Sequence, residues 1–342
     1  MGGGPPVPVG GSCSRLLTRA FDSFPCMRIL FFGTPDFATP PLRALIGEGH
    51  DVVGVVTQPD RPQGRSHSTL VPSPVKQVAL EEGIPVFQPD RPRGEEFLAQ
   101  LRALAPDVAV VVAYGHILRQ DLIDLPRLGT LNIHASLLPR WRGAGPIQAA
   151  MLAGDAETGV CIMRMVLGMD AGPVLLSLRT AIDDQETAGE LTERLSEMGA
   201  EAIVEAVTML DGGGIEEVPQ DASLVTFAPK IEREQARLDF TRSAVEVVRA
   251  IHAYDPKPGA WGMLRGGEVR LYGARAITDR QGDAGEVLAV GEMGMVIACG
   301  QGAVAVESVH PAGKRRLAAL DWAQGRGVAE GDRWELAGGP QG

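Results

Sequence analysis

One short predicted strand carries an amide and an imidazole side chain that could act together on a substrate. Residues 130–134 are Thr-Leu-Asn-Ile-His, and strand side chains alternate between two faces, so Asn132 and His134 share one face while the leucine and isoleucine face the core. The strand then enters a loop rich in Pro and Gly, and open α/β sheets bind ligands beyond the carboxyl ends of their strands. A histidine in a half-buried strand can equally be a satisfied core residue, so this spacing alone does not define a site.

A carboxylate between two glycines supplies a third candidate. Asp170 lies in the stretch Gly-Met-Asp-Ala-Gly-Pro at 168–173, which follows the apolar run 160–165. We expect this loop to place Asp170 beside Asn132 and His134 at adjacent strand ends. An amide and an imidazole can donate hydrogen bonds to the oxyanion of a tetrahedral intermediate, and a carboxylate can accept a proton. The three residues together predict an acyl-transfer site.

Alternating strands and helices must position these residues. The apolar periodicity predicts strands at 28–32, 52–57, 86–87 and 108–113, with intervening helices at 38–48, 74–82 and 95–105. This order predicts an α/β fold with a Rossmann-like, doubly wound parallel sheet. The Gly-x-Gly-x-x-Gly spacing of dinucleotide-binding loops is absent after the first strand, so NAD binding is not favoured.

A second, smaller domain is predicted after a polar linker. An amphipathic helix at 187–210 is followed by three glycines and a polar stretch, and short strands separated by glycine come later, a pattern typical of a small β-barrel. The first 26 residues are rich in Gly and Pro, so we expect them to be disordered. The predicted divisions are an extension at 1–26, a catalytic domain at 27–212, a linker at 213–229 and a second domain at 230–337.

The composition limits the classes of function. Four scattered cysteines predict neither a disulfide framework nor a metal site, and no apolar run approaches the ~18 residues that span a bilayer. We therefore expect a cytoplasmic protein without a metal, and we expect a monomer. The net charge of −11 falls on residues 1–229, whereas residues 230–342 contain equal numbers of acidic and basic residues. A nucleic-acid backbone would meet less repulsion along the second half.

Longer blocks of sequence resemble a known enzyme family. The block Asn132-Ile-His-Ala-Ser-Leu-Leu-Pro-Arg-Trp-Arg-Gly143, together with the 168–173 stretch, resembles the 10-formyltetrahydrofolate-dependent formyltransferases. Further blocks are similar to the methionyl-tRNA formyltransferases within that superfamily: Gly33-Thr-Pro-Asp-Phe-Ala38, Thr57-Gln-Pro-Asp-Arg-Pro62, Pro72-Ser-Pro-Val-Lys76 and Ala113-Tyr-Gly115. The resemblance extends from about Met27 to near Leu336.

This resemblance implies transfer of the formyl group of 10-formyltetrahydrofolate to the α-amino group of methionyl initiator tRNA. It implies that Asn132, His134 and Asp170 are catalytic, and that the second domain is an OB-like barrel that binds tRNA. Asp170 can take a proton from the amine, orient a water that does so, or hold a protonated His134, and the sequence leaves these roles open. Because the amine and the formyl donor are both substrates, no Ser or Cys nucleophile is required.

The same resemblance implies a folate-binding segment directly after the central strand. Ser136, Leu137, Leu138 and Pro139 match the segment that lines the cofactor pocket in the family. Backbone amides of this segment are expected to contact the pterin edge.

Three arginines are expected to contact the tRNA substrate. Loop 58–73 is too long for a simple connection, and the resemblance implies that it closes on the tRNA acceptor end with Arg61 and Arg65. Residues 66–69, Ser-His-Ser-Thr, stand where basic residues are common in the family. Arg142 is expected to meet a substrate carboxylate or phosphate.

Two alternative functions share these features. Another formyltetrahydrofolate enzyme could act on a small-molecule amine, although it would not need the second domain. A noncatalytic RNA-binding relative could keep the fold, although retention of Asn132, His134 and Asp170 argues against this alternative.

Overall fold

The computed structural model describes residues 26–63 and 69–337, so residues 1–25 of the predicted extension lie outside it. Its helices are α1 (Thr39–Gly47), α2 (Pro74–Glu81), α3 (Glu95–Ala103), α4 (Gln120–Ile123), α5 (Pro146–Ala153), α6 (Ala188–Asp211), α7 (Ala244–Ala253) and α8 (Ala319–Gln324). Its strands are β1 (Arg28–Gly33), β2 (Asp51–Val56), β3 (Arg61–Gln63), β4 (Thr69–Val71), β5 (Val86–Phe87), β6 (Val108–Val112), β7 (Thr130–His134), β8 (Arg142–Gly143), β9 (Glu157–Arg164), β10 (Val174–Ala181), β11 (Phe227–Ala228), β12 (Trp261–Leu264), β13 (Gly267–Ile277), β14 (Val287–Gly291), β15 (Gly294–Ala298), β16 (Ala303–Pro311) and β17 (Leu317–Ala318).

The main sheet of the described residues has the strand order β10-β9-β7-β6-β1-β2-β5. The five strands from β7 to β5 are parallel, which confirms the predicted α/β class and doubly wound sheet. At the other edge, β9 is antiparallel to β7 and β10 is antiparallel to β9. The connection at 165–173 is shorter than the dozen or so residues that a crossover between parallel strands needs, so β9 and β10 must run in opposite directions.

Helices cover both faces of this sheet with apolar side chains. Leu42 of α1, Val78 of α2 and Ile203 of α6 belong to one buried cluster, and Leu98 of α3 and Leu122 of α4 belong to the cluster on the other face. The parallel strands are buried on both sides, which explains why they are almost continuously apolar in sequence. Polar side chains on such strands are therefore found chiefly near the strand ends, where the site lies.

Helix α6 lies against the strand that carries the amide and the imidazole. The helix begins at a capping box, in which the side chain of Thr187 and the side chain of Glu190 each accept a hydrogen bond from the other residue's backbone N–H. Gly199 lets the helix approach β7 closely, because a Cβ atom there would lie 3.1 Å from Cγ2 of Ile133. Within residues 26–63 and 69–337, no helix is both long and apolar enough to cross a membrane.

The second part of the chain is a small antiparallel barrel, as predicted. Its strands follow the order β12-β13-β16-β15-β14, and β17 pairs with β16. Residues near the C-terminus close the two edges, since Trp334 bridges to Leu264 of β12 and Arg333 bridges to Glu286 just before β14. The buried ring of Trp334 also fills the interior beside Phe240, with ring centroids 5.6 Å apart.

The segment predicted as a linker, 213–229, makes ordered contacts with the first part of the chain. Val218 forms an antiparallel bridge with Val174 at the start of β10. Farther along, β11 pairs in parallel with β8, which lies in the loop after β7. The segment thus runs beside the predicted site before it enters the barrel.

We predict that Gly199→Val destabilises the protein, because the added methyl groups would force α6 away from Ile133. Overpacking of this kind costs about 1–3 kcal/mol in the free energy of unfolding. Urea denaturation measures the change. Gly47→Val is the matched control, since Gly47 is also helical and a Cβ there meets nothing within 4 Å. Equal stability of the two variants would contradict the close approach.

Candidate active site

The imidazole of His134 is held by a backbone carbonyl on one side and faces a carboxylate on the other. Its Nε2 atom lies 2.9 Å from the carbonyl oxygen of Trp141. A carbonyl oxygen can only accept, so Nε2 carries a hydrogen and donates it. The opposite nitrogen, Nδ1, lies 3.7 Å from Oδ2 of Asp170. Nδ1 is therefore the ring nitrogen that is left to interact with a reacting group.

Asp170 is held in an unusual backbone conformation that directs its carboxylate towards the loop after β7. Its φ angle is +47°, in the left-handed region that L-residues rarely adopt. Oδ2 accepts a hydrogen bond of 2.7 Å from the backbone N–H of Gly143. The side chain is 19% exposed, so the carboxylate remains accessible while its direction is fixed.

The side chain of Asn132 lies on the same strand face as that of His134, as predicted. Leu131 and Ile133 are buried in the core cluster on the opposite face. Asn132 itself is half-buried, and within the part of the chain that the structure describes its amide makes no hydrogen bond. This amide is therefore available to donate to a ligand.

The loop with Asp170 reaches the site by a route that differs from the predicted one. The prediction placed the candidates at adjacent strand ends, but β9 is antiparallel to β7 and pairs Arg164 with Leu131. The loop at 165–173 therefore starts beside the beginning of β7 and must turn back over the sheet to bring Asp170 to His134. His134 and Asp170 do meet, and Asn132 lies two residues before His134 on the same strand face, although the strands do not end together.

A glycine is required where the two loops meet. Gly143 has a φ angle of +121°, and a Cβ atom there would lie 2.4 Å from the carbonyl oxygen of Ala228. Only glycine adopts this conformation without strain and allows so close an approach. The N–H of Gly143 can therefore point at Asp170 while Gly143 itself pairs with Ala228 of β11.

The segment 213–229 holds both loops, which sequence reasoning missed. Thr226 accepts hydrogen bonds of 2.9 Å from the backbone N–H groups of Trp141 and Arg142, through its hydroxyl and its carbonyl oxygen respectively. The side chain of Gln220 contacts the loop of Asp170 and the side chain of Arg142. The composition of this stretch indicates only a polar linker, so no sequence signal marked these contacts.

Three of the four predicted folate-binding residues line two separate cavities, and Ser136 lines neither of these two. The hydroxyl of Ser136 is buried and donates to the carbonyl oxygen of Arg140 at 2.6 Å. Leu137 lines a cavity of about 330 Å³, whereas Leu138 and Pro139 line a separate cavity of about 420 Å³. Their role in folate binding stays a prediction.

The predicted tRNA-binding arginines have different environments. Arg142 is half-buried, and its guanidinium Nε and Nη2 donate to Oε1 of Gln220 at 3.0 and 2.8 Å. Arg61 is exposed at the start of β3, which pairs with β4 as a short hairpin inside the predicted loop. Arg65 and residues 66–68 lie outside the described residues.

The base of the hairpin is fixed by a partly buried ion pair. Lys76 Nζ lies 2.7 Å from Oδ2 of Asp60 and 2.7 Å from Oε1 of Gln88. The hydrogen bond from Lys76, together with one of 2.8 Å that Gln88 Nε2 donates to Oδ1 of Asp60, lowers the pKa of the Asp60 carboxyl. The positive charge of Lys76 is thus neutralised locally, and Arg61 is the exposed basic residue among the described part of the hairpin.

Buried polar groups without partners lie at the end of the neighbouring strand β6. Within the described chain, the hydroxyl of Tyr114 and Nε2 of His116 make no hydrogen bond, and the two rings meet edge to face at 5.6 Å. Burial raises the pKa of Tyr114 to about 12, so this hydroxyl remains protonated. Such atoms are often satisfied by a ligand or a water molecule. Tyr114 belongs to the Ala113-Tyr-Gly115 block that carries the family resemblance, but the sequence predicted no role for it.

Two family models match the chain. One, described as formyl transferase, matches residues 27–207, and the other, described as formyl transferase, C-terminal domain, matches residues 230–327. The methionyl-tRNA formyltransferase of Dechloromonas aromatica is 47% identical over 310 residues, 91% of this chain and 99% of that protein. The methionyl-tRNA formyltransferase of Xanthomonas campestris is 50% identical over 303 residues, 88% of this chain and 98% of that protein.

Solved structures share the fold at lower identity. HypX from Aquifex aeolicus, in complex with tetrahydrofolic acid, is 22% identical with a TM-score of 0.62, covering 87% of this chain and 47% of that one. WlaRD, a sugar 3N-formyl transferase, is 15% identical with a TM-score of 0.62, covering 85% of this chain and 99% of that one. The matches in sequence along nearly the whole chain decide the family. The chain belongs to the formyltransferase family and, within it, to the methionyl-tRNA formyltransferases.

Proposed function

We propose that this protein transfers the formyl group of 10-formyltetrahydrofolate to the α-amino group of methionyl initiator tRNA, giving N-formylmethionyl-tRNA for translation initiation. The observation that carries the proposal is that Nδ1 of His134 lies 3.7 Å from Oδ2 of Asp170, on the strand face of β7 that also carries the amide of Asn132. The family relatives named above support the choice of substrates.

In the proposed reaction, the neutral α-amine attacks the formyl carbon and forms a tetrahedral intermediate with an oxyanion. Asn132 donates to this oxyanion from its amide. Nε2 of His134 is committed to Trp141, so a protonated His134 would donate from Nδ1. An α-amino group has a reference pKa of about 7.7–8.0, so the amine needs no strong base before attack.

Collapse of the intermediate breaks the bond between the formyl carbon and N10 of the folate. The former amine loses a proton to Asp170 or to a water that Asp170 orients, and N10 of the leaving tetrahydrofolate gains a proton. Both partners in the acyl transfer are substrates, so no enzyme acyl intermediate is needed. In agreement, burial raises the pKa of the Cys161 thiol, which keeps it in its weakly nucleophilic form.

The remaining assignments are part of the same proposal. Residues 27–212 act as the catalytic domain, 213–229 as the connecting segment and 230–337 as the tRNA-binding domain. Residues 136–139 bind the folate, and Arg61, Arg65 and Arg142 contact the tRNA. One chain contains both the site and the barrel, which supports action as a monomer, and the tRNA substrate makes the cytoplasm the expected location.

The experiment that tests this function is a product assay with 10-formyltetrahydrofolate and methionyl initiator tRNA. We expect N-formylmethionine after hydrolysis of the product ester, identified by mass spectrometry. Parallel reactions with amino-sugar nucleotides test the small-molecule alternative. Formylation of those amines alone, or tRNA binding with no formyl transfer, would reject the proposed function.

We predict that Asn132→Ala and His134→Ala each lower turnover by about 10²–10³-fold, because each removes one donor to the oxyanion. Steady-state formylation rates measure the loss of turnover, and thermal unfolding shows whether the variants are still folded. His310→Ala is the control, since His310 is a histidine of the barrel whose Nε2 contacts only the carbonyl of Lys314. Near-normal turnover in both site variants would remove these residues from the mechanism.

We also predict that Arg61→Ala raises the KM for methionyl initiator tRNA more than the KM for 10-formyltetrahydrofolate. Its exposed guanidinium on the hairpin is placed to contact a phosphate, and loss of a phosphate contact weakens affinity and its salt dependence. Steady-state kinetics in which each substrate is varied separately measure the two KM values. Arg102→Ala provides a control, because Arg102 is exposed on α3 and pairs with Glu95. An unchanged KM for tRNA would show that this arginine does not contact the acceptor end.

A further inference from the structure

We propose that Gln220, in the segment between the two domains, is a positioning residue that holds Asp170 in its working orientation. This inference rests on the proposed function, because it assigns Gln220 a role only through Asp170. Gln220 touches no reacting atom in this scheme. It acts on the backbone of the loop that carries the carboxylate.

The amide of Gln220 uses its hydrogen-bonding capacity on the two loops of the site. Nε2 donates to the carbonyl oxygen of Asp170 at 2.8 Å and to that of Gly172 at 2.7 Å. Oε1 accepts from Nε and Nη2 of Arg142 at 3.0 and 2.8 Å. An amide NH₂ has two hydrogens, so both donors are spent on the Asp170 loop. One side chain therefore ties this loop to the loop that follows β7.

These two donated hydrogen bonds lie directly after the unfavourable part of the backbone. Asp170 has a φ angle of +47°, and an L-residue returns to negative φ unless its surroundings hold it. The bonds to the carbonyls of residues 170 and 172 fix the peptide planes on the C-terminal side of this strained residue. Without them, the carboxylate would lose the orientation in which Oδ2 meets the N–H of Gly143 and Nδ1 of His134.

The side-chain oxygen of Gln220 helps to position Gly143, which donates a hydrogen bond to Asp170. Arg142 directly precedes Gly143, whose N–H donates to the carboxylate. The Gln220 amide therefore binds both the loop of Arg142 and Gly143 and the loop of Asp170. These two loops supply the donor and the acceptor of the hydrogen bond between Gly143 and Asp170.

The surroundings of Gln220 argue against a role in general stability. Its neighbours Pro219 and Asp221 are exposed, and Gln220 itself is only partly buried. Among the described residues, the apolar clusters contain no residue from 216 to 226. The segment from 216 to 226 therefore contributes little apolar burial and contacts the site through hydrogen bonds, of which the Gln220 side chain makes four.

Two substitutions of Gln220 distinguish its hydrogen bonds to the Asp170 loop from its hydrogen bonds to Arg142. Gln220→Leu removes all four hydrogen bonds with little change in size. Gln220→Glu keeps an acceptor for Arg142 but loses both donors to the Asp170 loop. Asp221→Ala is the matched control, because the side chain of Asp221 accepts only from Ser223 in its own turn.

We expect both Gln220 variants to lower kcat for formyl transfer by about 10- to 100-fold, as small misplacements of a reacting group do. In Gln220→Glu, which keeps the acceptor for Arg142, the KM values for 10-formyltetrahydrofolate and for methionyl initiator tRNA should change by less than about threefold. Asp221→Ala should match the wild type. If Gln220→Leu does not fold, Gln220→Glu, which retains the Arg142 contact, carries the test. Normal kcat in Gln220→Glu would overturn the inference.

A double-mutant cycle tests whether Gln220 acts through Asp170. In an Asp170→Asn background, which no longer has the carboxylate, Gln220→Glu should produce no further loss of kcat. A full additional loss would show that Gln220 acts by another route and would overturn the inference. Near-normal kcat in Asp170→Asn alone would instead reject the proposed site, whereas impaired Asp170→Asn with normal Gln220→Glu would reject only the positioning role.

Discussion

The hydrogen bond from the Gly143 N–H to the Asp170 carboxylate is the contact on which the geometry of the site depends. It joins two loops whose backbones are both in the left-handed region, with φ angles of +121° at Gly143 and +47° at Asp170. For a residue with a side chain this conformation costs roughly 1–2 kcal/mol, so it persists only where several contacts hold it. The same bond orients Oδ2 towards Nδ1 of His134, whose other nitrogen is already used by Trp141. A fixed carboxylate beside a fixed imidazole is what a site prepared for a developing charge requires.

The chain between the two domains provides much of this restraint. It contacts β10 through Val218, the loops of the site through Gln220 and Thr226, and β8 through β11 before it enters the barrel. Helix α7 of the second domain adds a further contact, since the guanidinium of Arg249 lies over Gly154 at the end of α5. The part of the molecule that we propose binds tRNA is therefore physically continuous with the part that holds the carboxylate. In this arrangement the connecting segment is a structural component of the site.

Sequence reasoning was strongest where a pattern has one physical meaning. Strict alternation in β7 correctly placed Leu131 and Ile133 in the core and Asn132 on the opposite face. Helix α2 begins at Pro74 as predicted and ends one residue before the predicted residue 82, because the apolar spacing agrees with the Ser73 cap and the proline at its first position. The direction of β9 could not be read from its apolar run, since buried strands of either direction are apolar, and the two-residue strands β8 and β11 are too short to show any period. Gln220 carried no signal, because its role depends on which loops surround it after folding.

A crystal structure with a bound 10-formyl folate analogue that cannot transfer its formyl group would show whether Asn132, His134 and Asp170 surround the reacting carbon. We expect the formyl oxygen to accept a hydrogen bond of about 2.7–3.1 Å from the amide of Asn132, with Nδ1 of His134 on the same side and the Asp170 carboxylate within reach of the incoming amine. An analogue whose formyl group lies away from Asn132 and His134, with the Asp170 carboxylate directed elsewhere, would contradict this expectation.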